Sequence, residues 1–256
     1  MISKAHIKEV RLLHQKKFRE ENGLFIAEGP KVVNELLNSK YKLKEVFCTD
    51  EFRIQNIEFR INKITEKELG QISALTTPNQ VLGVFEIPSP LVSRPSSFSL
   101  ELLIALDDIR DPGNLGTIIR IADWFGIHHI ICSENCVDIY NPKVVQASMG
   151  SIARVNVFYE NLASFFNDSR IMNKELKIYA ATLDGKNIYT EQLPDKGIIL
   201  IGNESKGISG NVLQFVTHKV SIPNFSPKTD SLNAAVATAI ICSEFRRNNK
   251  LNSITS

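Results

Sequence analysis

Two kinds of hydrophobic pattern alternate along the chain from about residue 100 onward. Short, almost uninterrupted apolar runs such as Leu102–Leu106 and Ile198–Ile201 are typical of strands that are buried on both faces. Between these runs, apolar residues recur at the three-to-four-residue spacing of a helix that packs one face on a core. Strands that alternate with helices in this way predict a parallel sheet covered by helices on both faces.

The ends of these elements are predicted from the points where each pattern starts and stops. Pro142 lies close to the start of one helix, where its fixed backbone angle suits the first turn. In chain order the predicted elements are strand Leu100–Leu106, helix Thr117–Phe125, strand His129–Cys132, helix Val144–Ala153, strand Val155–Phe158, helix Leu162–Met172, strand Lys177–Thr182, strand Gly197–Gly202, strand Lys219–Ile222 and helix Ser231–Arg247.

The N-terminal part of the chain has a shorter and less regular pattern. Helical spacing from Ile7 to Leu13 and from Val32 to Leu37 alternates with apolar strands at Glu45–Cys48 and Gln80–Phe85. A segment rich in proline and serine follows, and this composition is typical of a semi-extended linker. We therefore predict a small α/β domain over residues 1–87, a linker over residues 88–99 and a larger α/β domain over residues 100–256.

The composition excludes several classes of protein. Of the 256 residues, 43% are hydrophobic and 23% are charged, which excludes disordered, collagen-like and coiled-coil chains. Lysine and arginine together number 30 against 28 aspartates and glutamates. A net charge of +2 excludes a histone-like polycation, but it leaves room for a basic patch that binds nucleic acid on one face.

The cysteines are interpreted as buried thiols. Four of them, in apolar runs, are too few for a disulfide framework. A zinc site of His128, His129, Cys132 and Cys136 is disfavoured, because there is no CxxC pair and the first three residues lie on one predicted strand. We therefore predict no metal.

The chain shows no pattern of an export or membrane segment. Met1–Lys17 has polar and charged residues throughout, so it lacks the apolar core of a secretory signal. No later run is long and apolar enough to span a bilayer. We expect a cytoplasmic protein with no membrane partner.

Three polar segments follow predicted strands, where open parallel sheets bind their ligands. They are Asp107–Arg120, Gly202–Gly207 and Ile222–Ala235. The first lacks the GxGxxG spacing of a dinucleotide site, and the second lacks the Gly-Lys-Ser/Thr ending of a P-loop. Taken one at a time, each segment is also explained as a turn that only connects a strand to a helix.

Together, the three segments resemble the signature motifs of the SpoU-type branch of the SPOUT RNA methyltransferases. Their order and separation agree with the family over the stretch from about Leu100 to Arg247. Upstream, Lys16–Arg19 followed by Gly23–Gly29 is similar to the ribosomal-protein-like RNA-binding domain of many members. The residues that carry the three motifs are Asn114, Gly116 and Arg120, then Gly202, Asn203, Glu204 and Gly207, then Ile222, Pro223, Ser231, Leu232, Asn233 and Ala237.

This resemblance implies a fold, a cofactor and a reaction. It implies a parallel-sheet α/β-knot domain in which the C-terminal segment forms a trefoil knot, an exception to the rule that chains avoid threading. It also implies a homodimer that binds S-adenosylmethionine and methylates the ribose 2′-oxygen of rRNA or tRNA. Two alternatives stay open: an inactive RNA-binding or ribosome-assembly factor of the same fold, and a base methyltransferase of the same superfamily.

The resemblance also assigns residues. Arg120 is expected to hold an RNA phosphate or to activate the ribose hydroxyl, because its guanidinium is always charged and presents a fork of donors. Asn114, Glu204 and Asn233 complete the expected catalytic group, although Asn114 also suits a helix start and Glu204 suits a helix dipole. No histidine lies in the motifs, so the general base stays unassigned. The expected cofactor-binding residues are Thr182, Gly202, Gly207, Ile222, Pro223, Ser231 and Leu232, and the expected RNA-binding residues are Lys16, Lys17 and Arg19.

Overall fold

The computed structural model describes residues 2–50, 61–88, 101–226, 228 and 231–247. These residues form two compact units. Unit 1 comprises residues 2–50, 61–88 and 138–154, and unit 2 comprises residues 101–137, 155–226, 228 and 231–247. Beyond Pro88, the linker predicted over residues 88–99 lies outside the described residues.

Helices and strands alternate through both units. In chain order they are α1 (Lys4–Leu12), α2 (Lys16–Asn22), β1 (Leu24–Glu28), α3 (Pro30–Leu37), β2 (Leu43–Cys48), β3 (Ile61–Lys63), α4 (Glu66–Ile72), β4 (Val81–Glu86), β5 (Leu102–Leu106), α5 (Pro112–Trp124), β6 (His129–Cys132), α6 (Pro142–Ala147), β7 (Asn156–Tyr159), α7 (Leu162–Met172), β8 (Ile178–Asn187), β9 (Gly197–Ile201), α8 (Gly210–Leu213), β10 (His218–Ser221) and α9 (Ala234–Arg246).

Unit 1 is built on a four-stranded sheet in the order β1-β4-β2-β3. Strand β4 is antiparallel to both of its neighbours, and β3 is parallel to β2. One cluster of apolar side chains joins α1, α4 and the sheet, and Val10, Phe47 and Ile72 are fully buried in it. Elsewhere in the unit the ring of Phe25 stacks on Phe85 and lies 4.7 Å from the ring of Tyr140, so the 138–154 segment belongs to this core.

Unit 2 is built on a six-stranded sheet in the order β10-β8-β9-β5-β6-β7, and every pair of neighbours in it is parallel. The uninterrupted apolar runs lie at its centre, because β5 and β9 are buried along their whole length. The predicted parallel α/β sheet is confirmed. From β5 the chain builds strands on one side and later returns to build β8, β9 and β10 on the other, so the order reverses between β5 and β9.

Two predicted helix starts were wrong by several residues. Helix α5 begins at Pro112, five residues before the predicted Thr117, because the side chain of Asp111 caps it and accepts a hydrogen bond from the backbone N–H of Asn114. Helix α9 begins at Ala234 and not at Ser231. The side-chain oxygen of Asn233 caps it by accepting from two backbone N–H groups of the first turn.

Three other elements differ from the prediction. Helix α6 ends at Ala147 because the backbone turns left-handed at Met149 and Gly150, with φ of 52° and 93°. Strand β8 extends beyond the predicted Thr182 to Asn187, and its pairing with β10 skips five residues, 181–185. The short helix α8 has no counterpart in the prediction.

Within the part of the chain that the structure describes, none of the helices is long and apolar enough to cross a membrane. The trefoil knot stays a prediction.

Candidate active site

Three of the predicted catalytic side chains form one hydrogen-bonded chain in unit 2. The Nδ2 group of Asn233 donates to Oδ1 of Asn114 at 2.8 Å. The Nδ2 group of Asn114 in turn donates to Oε1 of Glu204 at 2.5 Å. The structure therefore brings together one residue from each of the three motifs.

The direction of this chain of hydrogen bonds is determined by its two ends. A carboxylate only accepts, so Asn114 must turn its amino group toward Glu204 and its oxygen toward Asn233. At the other end, Oδ1 of Asn233 accepts hydrogen bonds from the backbone N–H groups of Ala235 and Val236. The amino group of Asn233 is therefore the side that faces Asn114. Each amide orientation is thus the one that satisfies every partner.

The sheet topology explains why these residues meet. Asn114 lies in the first turn of α5, which follows β5, and Glu204 follows β9. These two strands are neighbours and lie at the point where the strand order reverses. Ligands of open parallel sheets bind at such a switch point, beyond the carboxyl ends of the strands.

A tight turn after β9 holds Glu204 in place. Asn203 and Gly207 exchange two backbone hydrogen bonds at 3.0 and 2.9 Å, and Gly207 has the left-handed φ of 68° that a glycine takes without strain. A Cβ atom on Gly202 would lie 2.5 Å from the carbonyl carbon of Gly207. Both glycines are therefore required by the turn itself.

Further polar residues that were not predicted as site residues hold this edge of the sheet. Both the N–H and the hydroxyl of Ser209 donate to Asp107, at 2.7 Å each, and Asp107 is only 5% exposed. The side-chain amide of Asn203 donates to the backbone oxygen of Asp108 at 2.8 Å. An aspartate directly after a buried strand was the one local signal that pointed to Asp107 in the sequence.

Arg120 is exposed on α5, six residues beyond Asn114. Among the described residues its guanidinium has no hydrogen-bond or ion-pair partner, so the structure does not join it to the Asn114–Glu204–Asn233 chain. Its neighbours Ile118 and Ile119 are fully buried, so the apolar side of the helix packs on the core and Arg120 lies outside it.

The residues predicted to bind the cofactor lie in the bulge of β8 and on the segments that follow β9 and β10. Thr182 is in the five-residue bulge of β8, and Gly202 follows β9. Ile222 and Pro223 follow β10 and are half-buried. Ser231 is exposed, and the apolar side chain of Leu232 is 45% exposed.

The three residues predicted to bind RNA differ in exposure. Lys16 and Lys17 are exposed on α2 and form ion pairs with Glu20 and Glu21 at 3.6 and 3.8 Å. Arg19 is 2% exposed.

The guanidinium of Arg19 is used inside unit 1. Its Nε and Nη2 groups donate to Oδ2 of Asp138, at 3.1 and 2.6 Å, and its Nη1 group donates to the backbone oxygens of Leu13 and His14. A buried charge needs such partners, so this ion pair explains Arg19 as a structural residue.

All four cysteines are free and buried, which confirms the prediction of core thiols. A hydrogen bond from Cys132 lowers the pKa of the Cys136 thiol to about 7. Burial instead raises the pKa of Cys242 to about 12. No group of three or more potential metal ligands occurs among the residues that the structure describes.

Two family models match the sequence. The SpoU rRNA Methylase family matches residues 101–243, which include every residue of the hydrogen-bonded chain described above. The MRM3-like substrate binding domain matches residues 4–83.

Individual relatives match over almost the whole chain. The 23S rRNA (guanosine(2553)-2′-O)-methyltransferase RlmP of Bacillus subtilis is 29% identical over 94% of this chain and 95% of its own. Among solved structures, a TrmH-family protein from Porphyromonas gingivalis is 36% identical with a TM-score of 0.85, and the match covers 96% of this chain and 99% of that one. The S-adenosylmethionine-bound rRNA methyltransferase from Sinorhizobium meliloti is 31% identical with a TM-score of 0.83, over 98% of both chains. The chain therefore belongs to the SpoU rRNA methylase family.

Proposed function

We propose that this protein is an S-adenosylmethionine-dependent RNA methyltransferase that methylates the ribose 2′-oxygen of a nucleotide in ribosomal RNA. The observation that carries the proposal is the hydrogen-bonded chain of Asn233, Asn114 and Glu204 at the switch point of the sheet. The relatives with named reactions support the same chemistry, since RlmP of Bacillus subtilis is named as a 2′-O-methyltransferase of 23S rRNA.

The residues at this edge of the sheet fit the proposed cofactor. An adenine ring needs apolar side chains for its faces and backbone groups for its edge. Leu183 and Leu232 offer apolar side chains that are 77% and 45% exposed, and Ile222 and Pro223 are half-buried beside the end of β10. We propose that these residues hold S-adenosylmethionine together with Thr182, Gly202, Gly207 and Ser231.

The reaction needs alignment and loss of a proton, and it needs no metal. When bound, S-adenosylmethionine supplies a methyl group whose leaving group is already activated by the positive charge on sulfur. The protein has to hold the ribose 2′-oxygen in line and to ease the loss of its proton. We assign the second task to Arg120, whose exposed guanidinium is available to stabilise negative charge that develops on this oxygen.

The other three residues are assigned to positioning. Glu204 orients the amide of Asn114, and Asn233 holds the opposite side of the same amide. Because Asn233 also caps α9 and Asn114 lies in the first turn of α5, this one amide ties the ends of two helices to the turn after β9. Such fixed geometry is what an in-line displacement requires.

RNA recognition is assigned in part to unit 1. Residues 4–83 match a substrate-binding domain, and Lys16 and Lys17 are exposed on α2. Their ion pairs with neighbouring glutamates are of the weak surface type, so both lysines can exchange these partners for phosphates. Arg19 is not included, because its guanidinium is buried against Asp138. We keep the predicted cytoplasmic location as part of this proposal.

We also propose that the protein is a homodimer with a trefoil knot. Helices α5 and α9 pack against each other, and each leaves a large apolar side chain exposed. Trp124 on α5 is 84% exposed and Val236 on α9 is 49% exposed. Exposed side chains of this kind fit a self-association surface.

The function is tested by supplying labelled S-adenosylmethionine and ribosomal RNA that lacks its modifications. We expect methyl transfer to the RNA, and digestion to nucleosides followed by mass spectrometry should place the methyl group on a ribose. A methylated base would indicate a base methyltransferase. Absence of both transfer and cofactor binding would indicate an RNA-binding factor without turnover.

A further inference from the structure

Asp108, the second residue after strand β5, has an unusual backbone conformation. Asp108 has a φ of 59°, in the left-handed region that favours glycine. Its backbone is held on both sides: its N–H donates to the hydroxyl of Ser133 at 2.8 Å, and its carbonyl accepts from Asn203 at 2.8 Å. A conformation of this kind persists only where the surroundings impose it, and it points to a role for the side chain.

The hydrogen bond with Arg110 explains why an aspartate, and not a glycine, is present at position 108. A glycine at position 108 would keep both backbone hydrogen bonds and would take this φ without strain. What glycine would lose is the carboxylate, whose Oδ1 accepts a 2.7 Å hydrogen bond from Nε of Arg110. Within the described parts of the chain, this carboxylate bonds to Arg110 alone.

Among the described residues, only the Nε group of the Arg110 guanidinium is hydrogen-bonded. Its side chain is 62% exposed, while that of Asp108 is 17% exposed. The bond uses Nε, and the two terminal nitrogens have no partner among the described residues. An oriented guanidinium with free terminal N–H groups is the usual protein group for binding a phosphate through two parallel hydrogen bonds.

The pair is attached to both segments that carry the candidate site. Arg110 is four residues before Asn114 in the chain. The carbonyl of Asp108 is bonded to Asn203, the residue before Glu204. The Asp108–Arg110 pair is therefore attached to the same two segments that the Asn114–Glu204 hydrogen bond joins.

We propose that Arg110 binds a backbone phosphate of the RNA strand beside the target ribose, and that Asp108 is the residue that positions it. This inference rests on the proposed function, because it assumes an RNA substrate. It adds a phosphate-binding residue that lies in the first polar segment but is not among the residues that carry the motifs.

The test is the salt dependence of RNA binding, measured with unmodified ribosomal RNA transcribed in vitro. Each lost phosphate contact reduces the slope of log affinity against log salt by about 0.7 to 0.9. We expect Arg110→Gln to reduce the slope by this amount and to raise KM for RNA roughly tenfold with little change in kcat. Arg110→Lys should keep the slope, because it keeps the charge, but should bind less tightly because the fork is lost.

Two further variants separate positioning from bulk charge. Asp108→Gly should weaken RNA binding several-fold although Arg110 is still present, since the guanidinium is no longer held. Arg247→Gln is the matched control, because Arg247 is also exposed and also forms a single contact, from Nη1 to Glu244 at 2.9 Å. We expect Arg247→Gln to leave both the slope and KM unchanged.

Calorimetry with S-adenosylmethionine and thermal unfolding accompany every variant. If the wild-type protein methylates RNA and Arg110→Gln keeps its salt slope and KM, the role of Arg110 is refuted while the proposed function stands. If the wild-type protein neither binds the cofactor nor transfers methyl groups, the proposed function fails, and the salt slope still tests Arg110 as a phosphate contact. If Arg110→Gln does not fold, Asp108→Gly tests the proposal in its place. Wild-type RNA affinity in Asp108→Gly would overturn the proposal.

Discussion

The side-chain amide of Asn233 donates to Asn114 across 119 residues of chain, and it does so from the cap of helix α9. This bond and the bond from Asn114 to Glu204 leave only one orientation for the Asn114 amide. A substitution that replaces the amino group of Asn114 with an oxygen would therefore place that oxygen against the carboxylate of Glu204, and the two would repel each other.

We expect Asn114→Asp to reduce methyl transfer about 10- to 100-fold, since a hydrogen bond to a charged group contributes about 1.5 to 3 kcal/mol. Single-turnover rates with labelled cofactor measure this loss. The control is Asn161→Asp, because it makes the same chemical change at the cap of α7, where Asp caps a helix equally well. Equal rates for the wild-type protein and Asn114→Asp would contradict the assigned role.

Arg120 is expected to act on the 2′-oxygen and not in folding. Its side chain is exposed and has no partner among the described residues, so Arg120→Ala should leave thermal stability within about 0.5 kcal/mol of wild type. Single-turnover methylation at saturating RNA should fall by about 100-fold or more. Arg170→Ala removes another exposed arginine, at the end of α7, and should have no effect. Unchanged methylation in Arg120→Ala would show that another group activates the nucleophile.

Gly202 is expected to be intolerant of even one methyl group. In Gly202→Ala the new Cβ atom would lie 2.5 Å from the Gly207 backbone, and such overpacking costs about 1 to 3 kcal/mol. We expect a melting temperature lower by several degrees and weaker cofactor binding in calorimetry. Gly210→Ala is the control, because no atom lies within 4 Å of its added Cβ. Similar behaviour of the two variants would argue against a close approach at Gly202.

Glu28 is expected to make stability depend on pH. Burial raises the pKa of its carboxyl above the ordinary 4.5, against the opposing effect of hydrogen bonds from Ser73 and Ala74. The folded protein then binds this proton more tightly than the unfolded chain. The free energy of unfolding should fall as pH rises from 4.5 through the raised pKa.

Urea unfolding of wild type and Glu28→Gln at several pH values isolates this contribution. The variant should gain stability relative to wild type as pH rises. Glu68 is a control with the opposite sign. A hydrogen bond from the Thr65 backbone lowers the pKa of Glu68. Its contribution to stability is therefore present above the ordinary pKa of 4.5 and is lost as pH falls. A difference between Glu28→Gln and wild type that does not vary with pH would rule out this linkage.

The dimer proposal predicts that exposed apolar side chains on α5 and α9 are covered in solution. Light scattering should give twice the chain mass of 28.7 kDa for the wild-type protein. Trp124→Ser combined with Val236→Ser should shift the mass toward a single chain. Ile171→Ser on α7 is the control, because this residue is 71% exposed and is not expected to be covered. A wild-type mass of one chain would refute the dimer.

The parallel sheet was predictable because buried strands such as β5 and β9 are apolar along their whole length. The start of α5 was not, since Pro112 and Gly113 are also common turn residues and only the contact of Asp111 with the backbone shows that they begin a helix. The cap of α9 was ambiguous for the same reason, because Ser231 and Asn233 both suit a helix start.

Asn114, Glu204 and Asn233 were predicted as one group, but the hydrogen bonds among them were not. Nothing local in the sequence shows that Asn114 donates to Glu204 and accepts from Asn233. The sequence also does not show that Arg19 is buried. It follows Lys16 and Lys17 in the chain and so looks like part of a basic surface, but its partner Asp138 is 119 residues away.

The membership of residues 138–154 in unit 1 has a consequence for synthesis on the ribosome. Tyr140 packs on Phe25, and Asp138 binds Arg19, so the contacts of the first strand and the second helix are incomplete until this later segment has been made. Domains commonly fold as units, with the N-terminal one first as it leaves the ribosome. Here the N-terminal residues must wait for Arg154, by which time β5 and β6, the first two strands of the other sheet, have already been translated.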